Sequence, residues 1–368
     1  KLARSVLALY SYDELAEDMS LENIVRQAIE LIARVSTIMV NAYQVKKRYY
    51  DHQSLFFHTP IDGMSFSEEK RREARDMRYH QKAYKSILSP QNGMNLYRGC
   101  THGCIYCDSR SSCYGIEAFD TVRIKENAIP LVAEELRKKR KKGVVGTGAM
   151  SDPYNPLEQT LKLTRQALAL IQRYGFGVAI ATKSPLVARD ADVLLEIGRT
   201  APAFVKFTLT TADDALCRRI EPHVAPTSAR LAAMETLAGQ GVCCGVLLMP
   251  LLPYINDTEE NVLRLVHSAA DAGAQFVYPG FGVTLRENQR TYFYQQLDRL
   301  FPGVKAQYQR QGQPYLHKSP RAQALTKAFI QACRARRLAY RMEDIIALTQ
   351  RPERACQLSF FSAEERGL

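Results

Sequence analysis

Residues 176–183, FGVAIATK, are apolar at almost every position and end on a lysine. So short and uniform a run reads as a strand buried on both faces, the habit of parallel sheets. Four further stretches repeat it: GVVGTGAM (143–150), AFVKFTLTT (203–211), GVCCGVLLMP (241–250) and AQFVYPGFGV (274–283). Helical patterns separate them, over 126–142, 160–174, 186–199, 226–239 and 258–272. Strand–helix units of this length imply right-handed crossovers and a parallel sheet. A strand near 94–97 makes about six units, so the expected fold is α/β, a partial (β/α)6 TIM-like barrel. Its chemistry belongs at the C-terminal ends of the strands, where GTGAMSDP (146–153) falls.

At the end of the first of these strands lies YRGCTHGCIYCDSR (97–110), with Cys100, Cys104 and Cys107 in C-x3-C-x2-C spacing. A structural zinc site draws on two separated pairs of ligands, and no second pair follows. His102 would have to serve as the fourth ligand from inside the same tight loop. A redox pair formed by Cys104 and Cys107 leaves Cys100 unexplained. A four-iron cluster normally takes four thiolates, so three would leave one iron open. The other cysteines (113, 217, 243, 244, 333 and 356) form no further set with ligand spacing. The chain's odd total of nine cysteines does not suggest a secreted disulfide framework.

With Tyr106 just before the third cysteine, the motif resembles that of radical S-adenosylmethionine (SAM) enzymes. Residues 77–361 more narrowly resemble the spore photoproduct lyase-like family of that superfamily. The resemblance is carried by MNLYRGCTHGCIYCDSRS, GAMSDPYNPLE, ATKSPLVARD, TTADDALCRRIEP, LMPLLPYINDTEEN and FGVTLRENQRTYF. It implies a barrel of the radical SAM type and a 4Fe–4S cluster on Cys100, Cys104 and Cys107. The open iron would chelate the amino and carboxylate groups of SAM. An electron from a donor such as flavodoxin or ferredoxin would cleave the carbon–sulfur bond, and the 5′-deoxyadenosyl radical would abstract hydrogen.

By the same resemblance Tyr106 stands beside the adenine, and Ser151 and Asp152 meet the methionine amino group. Lys183 meets the carboxylate, and Thr208 or Thr210 adds a hydroxyl. Gly99 and Gly103 supply backbone freedom around the cluster. One position departs from the family. Where spore photoproduct lyases carry a cysteine that returns hydrogen to the product, this chain has Ala149 and then Met150. Cys113, Cys243 and Cys244 are the alternative thiols.

The formal net charge of +12 favours a polyanionic partner. LRKKRKKG (136–143) reads as a basic helix end, and CRARRLAYR (333–341) alternates arginines with an aromatic. The leading expectation is therefore a radical SAM enzyme acting on nucleic acid, at a DNA lesion or a modified base. The alternatives are a radical SAM enzyme acting on protein or small molecules, and a non-catalytic iron–sulfur or zinc interaction module. No apolar run reaches bilayer length and no secretory signal is visible, so a cytoplasmic protein without a membrane partner is expected.

Both ends carry other signals. QLSFF (357–361) resembles the short peptide that binds the bacterial sliding clamp, with Gln357, Leu358, Phe360 and Phe361 as anchors. Residues 7–60 resemble an internal helical fragment of citrate synthase. After it HTPIDGMSF (58–66), with Pro60 and Gly63, breaks the pattern. The expected division is a helical appendage over 1–76, the barrel over 77–345 and a tail over 346–368.

Overall fold

In the computed structural model, which describes residues 79–82, 84–313 and 315–350, the apolar runs become strands and the stretches between them helices. The citrate-synthase-like stretch, the boundary at residue 76 and the clamp-like Gln357, Leu358, Phe360 and Phe361 lie outside the described residues. In chain order the strands are β1 (Tyr79–Lys82), β2 (Gly93–Met94), β3 (Tyr97–Arg98), β4 (Val122–Lys125), β5 (Val144–Thr147), β6 (Gly177–Thr182), β7 (Ala203–Thr208), β8 (Cys243–Leu248), β9 (Phe276–Pro279), β10 (Gly282–Thr284) and β11 (Leu316–Lys318). β2, β5, β6, β7, β8 and β9 lie side by side in that order, every pair parallel. This is the expected partial (β/α)6 barrel.

The main helices are α1 (Ala128–Lys138), α2 (Glu158–Leu161), α3 (Leu163–Arg173), α4 (Ala191–Thr200), α5 (Asp214–Ile220), α6 (Thr227–Gly239), α7 (Glu259–Asp271), α8 (Gln289–Leu300), α9 (Val304–Arg310), α10 (Ala322–Ala335) and α11 (Met342–Thr349). Because successive right-handed crossovers step the same way along the sheet, their helices share its outer face. There Val178, Ile180, Val205, Phe207 and Val246 are fully buried in one core with Val132, Leu168, Met234 and Leu265 from the helices. α7 shows the local logic. Thr258 caps it by accepting from the Asn261 N–H at 3.2 Å, acidic Glu259 and Glu260 occupy the first turn, and Val262, Leu265, Val266 and Ala269 form the buried stripe.

Two expected elements have different limits. The helix expected over 126–142 stops at Lys138, because beyond Leu136 only basic residues follow and nothing remains to bury. The strand expected over 274–283 splits at Pro279, which has no N–H to donate. β10 leaves the main sheet and pairs antiparallel with β11. A Cβ at Gly282 would come within 2.6 Å of the His317 carbonyl, so the close pairing there needs glycine.

Two features lie outside the strand–helix alternation. β4 forms a small sheet with β1 and β3. Residues of α8 and α9 also build a second apolar cluster, in which Phe293, Leu297 and Tyr308 pack with Ile105, Tyr106, Ile220, Leu252 and Leu285. This cluster grips the cysteine loop from the side away from the barrel core. No described helix is long and apolar enough to cross a membrane.

Candidate active site

The loop that carries the cysteines is tied down through its main chain. The Cys100 N–H donates to Phe119 O at 2.9 Å, Ile105 N–H to Ile220 O at 3.0 Å, and His223 N–H to His102 O at 3.2 Å. Gly99 and Gly103 adopt φ of +85° and +68°. A Cβ at Gly99 would lie 2.5 Å from Thr121 O, so both the turn and the close approach demand glycine. Ahead of the loop, the buried Tyr97 hydroxyl donates to Glu158. That carboxylate also accepts from the Thr164 N–H at 3.0 Å and pairs with Arg189 at 3.0 Å. The loop therefore starts from a fixed post.

Its three thiols open into one cavity of about 90 Å³. Gly148 to Asp152 after β5, Lys183 after β6, and Thr208 at the end of β7 line the same space. Residues spread over more than a hundred positions converge at the C-terminal ends of adjacent strands, the expected place for chemistry. Gly148, at φ +95°, makes this possible, since a Cβ there would stand 1.8 Å from the Ala181 carbonyl oxygen.

The comparisons with known proteins bear directly on this arrangement. The model of the radical SAM superfamily matches residues 94–266, which include every one of these lining residues. An uncharacterized protein of Mycobacterium tuberculosis is 32% identical over 238 residues, 62% of this chain and 69% of the relative. This chain belongs to the radical SAM superfamily. An uncharacterized protein of Methanocaldococcus jannaschii is 31% identical over 169 residues, covering 45% of this radical SAM enzyme and 62% of the archaeal chain. A spore photoproduct lyase mutant, solved with bound AdoMet and dinucleoside spore photoproduct, shares the fold. Its TM-score is 0.53 at 14% identity, with 76% of this chain and 85% of that one covered.

The donor set fits the cluster that the superfamily implies. Burial pushes the Cys100 thiol up to about 12, aided by the Asp152 carboxylate, and raises Cys104 and Cys107 as well. Thiolates in so dry a place require a cationic partner, and soft sulfur donors suit iron–sulfur clusters. Among the described residues no three His, Cys, Asp or Glu side chains converge on one point as the ligands of a single zinc ion would. A cluster spreads its thiolates over separate irons instead.

The expected cofactor contacts divide into two groups. Ser151, Asp152, Lys183 and Thr208 line the cavity, while Tyr106 and Thr210 are not among its lining residues. The Ser151 hydroxyl donates to Gly99 O at 2.7 Å, joining the end of β5 to the cysteine loop. Asp152 accepts from the Tyr154 N–H at 2.9 Å and the Thr182 hydroxyl at 2.7 Å on Oδ1, and from the Lys183 N–H at 2.7 Å on Oδ2. Of its roughly four acceptor directions, three are already taken by the chain. Burial opposes charge on the Lys183 ammonium, but Cys104 and the Glu221 carboxylate outweigh it and hold its pKa above the ordinary lysine value.

Tyr106 turns its hydroxyl to Glu221, and its carbonyl accepts from Gln289 Nε2 at 2.9 Å. Its ring faces the Lys183 ammonium, 5.8 Å from the centroid. Glu221 in turn pairs with Arg230, and this buried pair was invisible in the sequence reading. An arginine in line with Thr227, Met234 and Leu237, on a face of α6 without another charge, is the signal for Arg230.

Proposed function

We propose that this radical SAM enzyme holds a 4Fe–4S cluster on Cys100, Cys104 and Cys107, binds SAM beside it, and removes hydrogen from a nucleic-acid substrate. The observation that carries this reading is the convergence of the three thiols, the 148–152 turn, Lys183 and Thr208 on one cavity. When bound, the cluster supplies the electron that cleaves SAM reductively. Asp152 offers its remaining acceptor direction to the methionine ammonium, and the Lys183 ammonium offers charge to the carboxylate. Thr208 presents a hydroxyl, Ser151 fixes the loop above, and Tyr106, which faces the Lys183 ammonium from outside the cavity lining, is our assignment for the adenine contact. Phe119 and the buried loop keep water from the reacting centre.

The nucleic-acid reading draws support from the net charge of +12 and from the fold shared with spore photoproduct lyase. The reaction differs from that of the lyases in one respect. Ala149 and Met150 line the cavity, and of the described cysteines only the three of the motif do. We assign a reaction in which no cavity-lining protein thiol returns hydrogen to the product. A flavodoxin or ferredoxin supplies the electron, Gln357, Leu358, Phe360 and Phe361 are the anchors for a sliding clamp, and the unpaired cysteines fit a reducing cytoplasm.

Anaerobic reconstitution tests this reading. The protein should take up about four irons per chain, turn brown, and release 5′-deoxyadenosine and methionine on reduction. Deuterated DNA substrates should pass deuterium to 5′-deoxyadenosine. A colourless protein that binds one zinc ion through the three cysteines would sink the proposal.

A further inference from the structure

The inner face of the barrel carries, besides the cofactor-contacting Lys183, a second lysine that those contacts leave unexplained. Side chains alternate across a strand, so the face that brings Thr208 to the cavity also carries Phe204 and Lys206. Register extends this face across the sheet. Lys206 lies between Ala181 on β6 and Gly245 on β8, and Thr208 lies beside Leu247, which is level with Tyr278. Lys206 and, just past the end of β6, Lys183 are its charged side chains among the described residues of these strands, and no carboxylate shares it.

The surroundings of Lys206 are built rather than incidental. Its ammonium lies 5.7 Å from the Phe204 ring centroid, and Phe204 meets Phe276 edge to face at 6.3 Å, forming an aromatic floor. Gly245 is what admits the Phe276 ring, because a Cβ there would come within 2.3 Å of it. With Ala181 on one flank and the Phe276 ring seated over Gly245 on the other, the lysine stem is bordered by apolar groups and by no competing polar side chain. The half-buried ammonium has no hydrogen-bond or ion-pair partner among the described residues, and burial lowers its pKa. Lys183 stands one strand across and about 6–7 Å further along. Both flexible stems can therefore reach one ligand.

We infer that Lys206, together with Lys183, forms an oxyanion subsite on the inner face of the barrel that takes a phosphate or carboxylate group. This deepens the proposed function, since a substrate phosphodiester is the source that reading implies and the SAM carboxylate is the other.

The full-length protein is titrated with inorganic phosphate, followed by phosphorus NMR line broadening, as wild type, Lys206→Met, Lys206→Gln and Lys206→Arg. Circular dichroism confirms the fold of each. Removing the ammonium should weaken phosphate binding about tenfold or more, and arginine should restore most of it. Unchanged phosphate binding in a folded Met or Gln variant overturns the subsite.

Two further arms identify the source. A thymidine dinucleotide with a phosphodiester link should lose affinity in Lys206→Met, whereas its uncharged methylphosphonate analogue should not. Loss confined to SAM, absent for decarboxylated SAM, keeps the subsite and overturns its assignment to the substrate. If wild type binds neither dinucleotide, the nucleic-acid reading fails while the phosphate titration still decides the subsite.

Discussion

Arg230 and Glu221 are paired at 2.5 Å with neither side chain exposed to solvent, and the same carboxylate receives the Tyr106 hydroxyl beside the third cysteine. Burial alone would push the Glu221 carboxyl up, but the Arg230 guanidinium and the Lys183 ammonium outweigh it and hold it below the ordinary range. The pair thus sets both charge and position behind the cysteine loop.

Arg230→Met should destabilise the fold by about 3–5 kcal/mol, because it strands a carboxylate in a dry interior. Pairing it with Glu221→Leu should recover part of that loss. Urea unfolding of the two single variants and the double variant gives the coupling directly. Additive losses would show that the two residues do not act as a pair.

Gly148 and Gly175 both have positive φ, but their surroundings differ. Gly175→Ala meets nothing within 4 Å, so it should cost only the strain of the left-handed backbone, about 1 kcal/mol. Gly148→Ala drives a methyl into the Ala181 carbonyl, and the turn that faces the thiols must move. Its SAM affinity, read by calorimetry, should fall at least tenfold while that of Gly175→Ala stays near wild type. Equal affinities would mean the turn does not contact the ligand.

Asp152→Asn preserves shape but turns an amide donor toward donors. One of the Tyr154, Thr182 and Lys183 hydrogen bonds must be lost, at a cost of about 1–3 kcal/mol. Thermal unfolding of the protein without cofactor should show this drop, separately from any loss of SAM binding. A variant of unchanged stability would mean the carboxylate is not a clasp between β5 and β6.

Lys125 should impose a pH dependence of its own. Burial, and then the like charge of Arg98, push its pKa down to about 8 from 10.5. Below pH 8 the folded chain carries this charge at a cost. Between pH 8 and 10.5 the unfolded chain binds the extra proton, so stability rises with pH, and above 10.5 the difference is gone. Lys125→Met should therefore stabilise the protein at pH 7 by about 1–3 kcal/mol, with the gain fading toward pH 10.5. Denaturant midpoints of both proteins across that range check it.

The sheet was legible because its long strands are largely buried, β6 on both faces, which leaves runs such as FGVAIATK almost without polar interruption. The cysteine loop stood out by its spacing, and its resemblance to the radical SAM motif gave it a meaning. β1, β4 and β11 were not legible, because three or four residues carry no measurable period, while β3 and β10 were merged with the strands before them. The direction of the Tyr106 ring escaped for another reason. It depends on Glu221, 115 positions away, and on Arg230 neutralising that carboxylate, and no local pattern encodes such a meeting.

The cysteine loop is held by backbone hydrogen bonds on both sides and by Ile105 and Tyr106 in an apolar cluster of their own. None of these ties needs a metal. Iron would be a guest in a finished room rather than the keystone of the arch, unlike the metal of a zinc finger. Stripping it with a chelator should leave the helical circular dichroism nearly unchanged and lower the unfolding midpoint only by the linkage of the lost ligand, with unfolding still cooperative, so assembly of the cofactor can follow folding and be repeated on the same molecule.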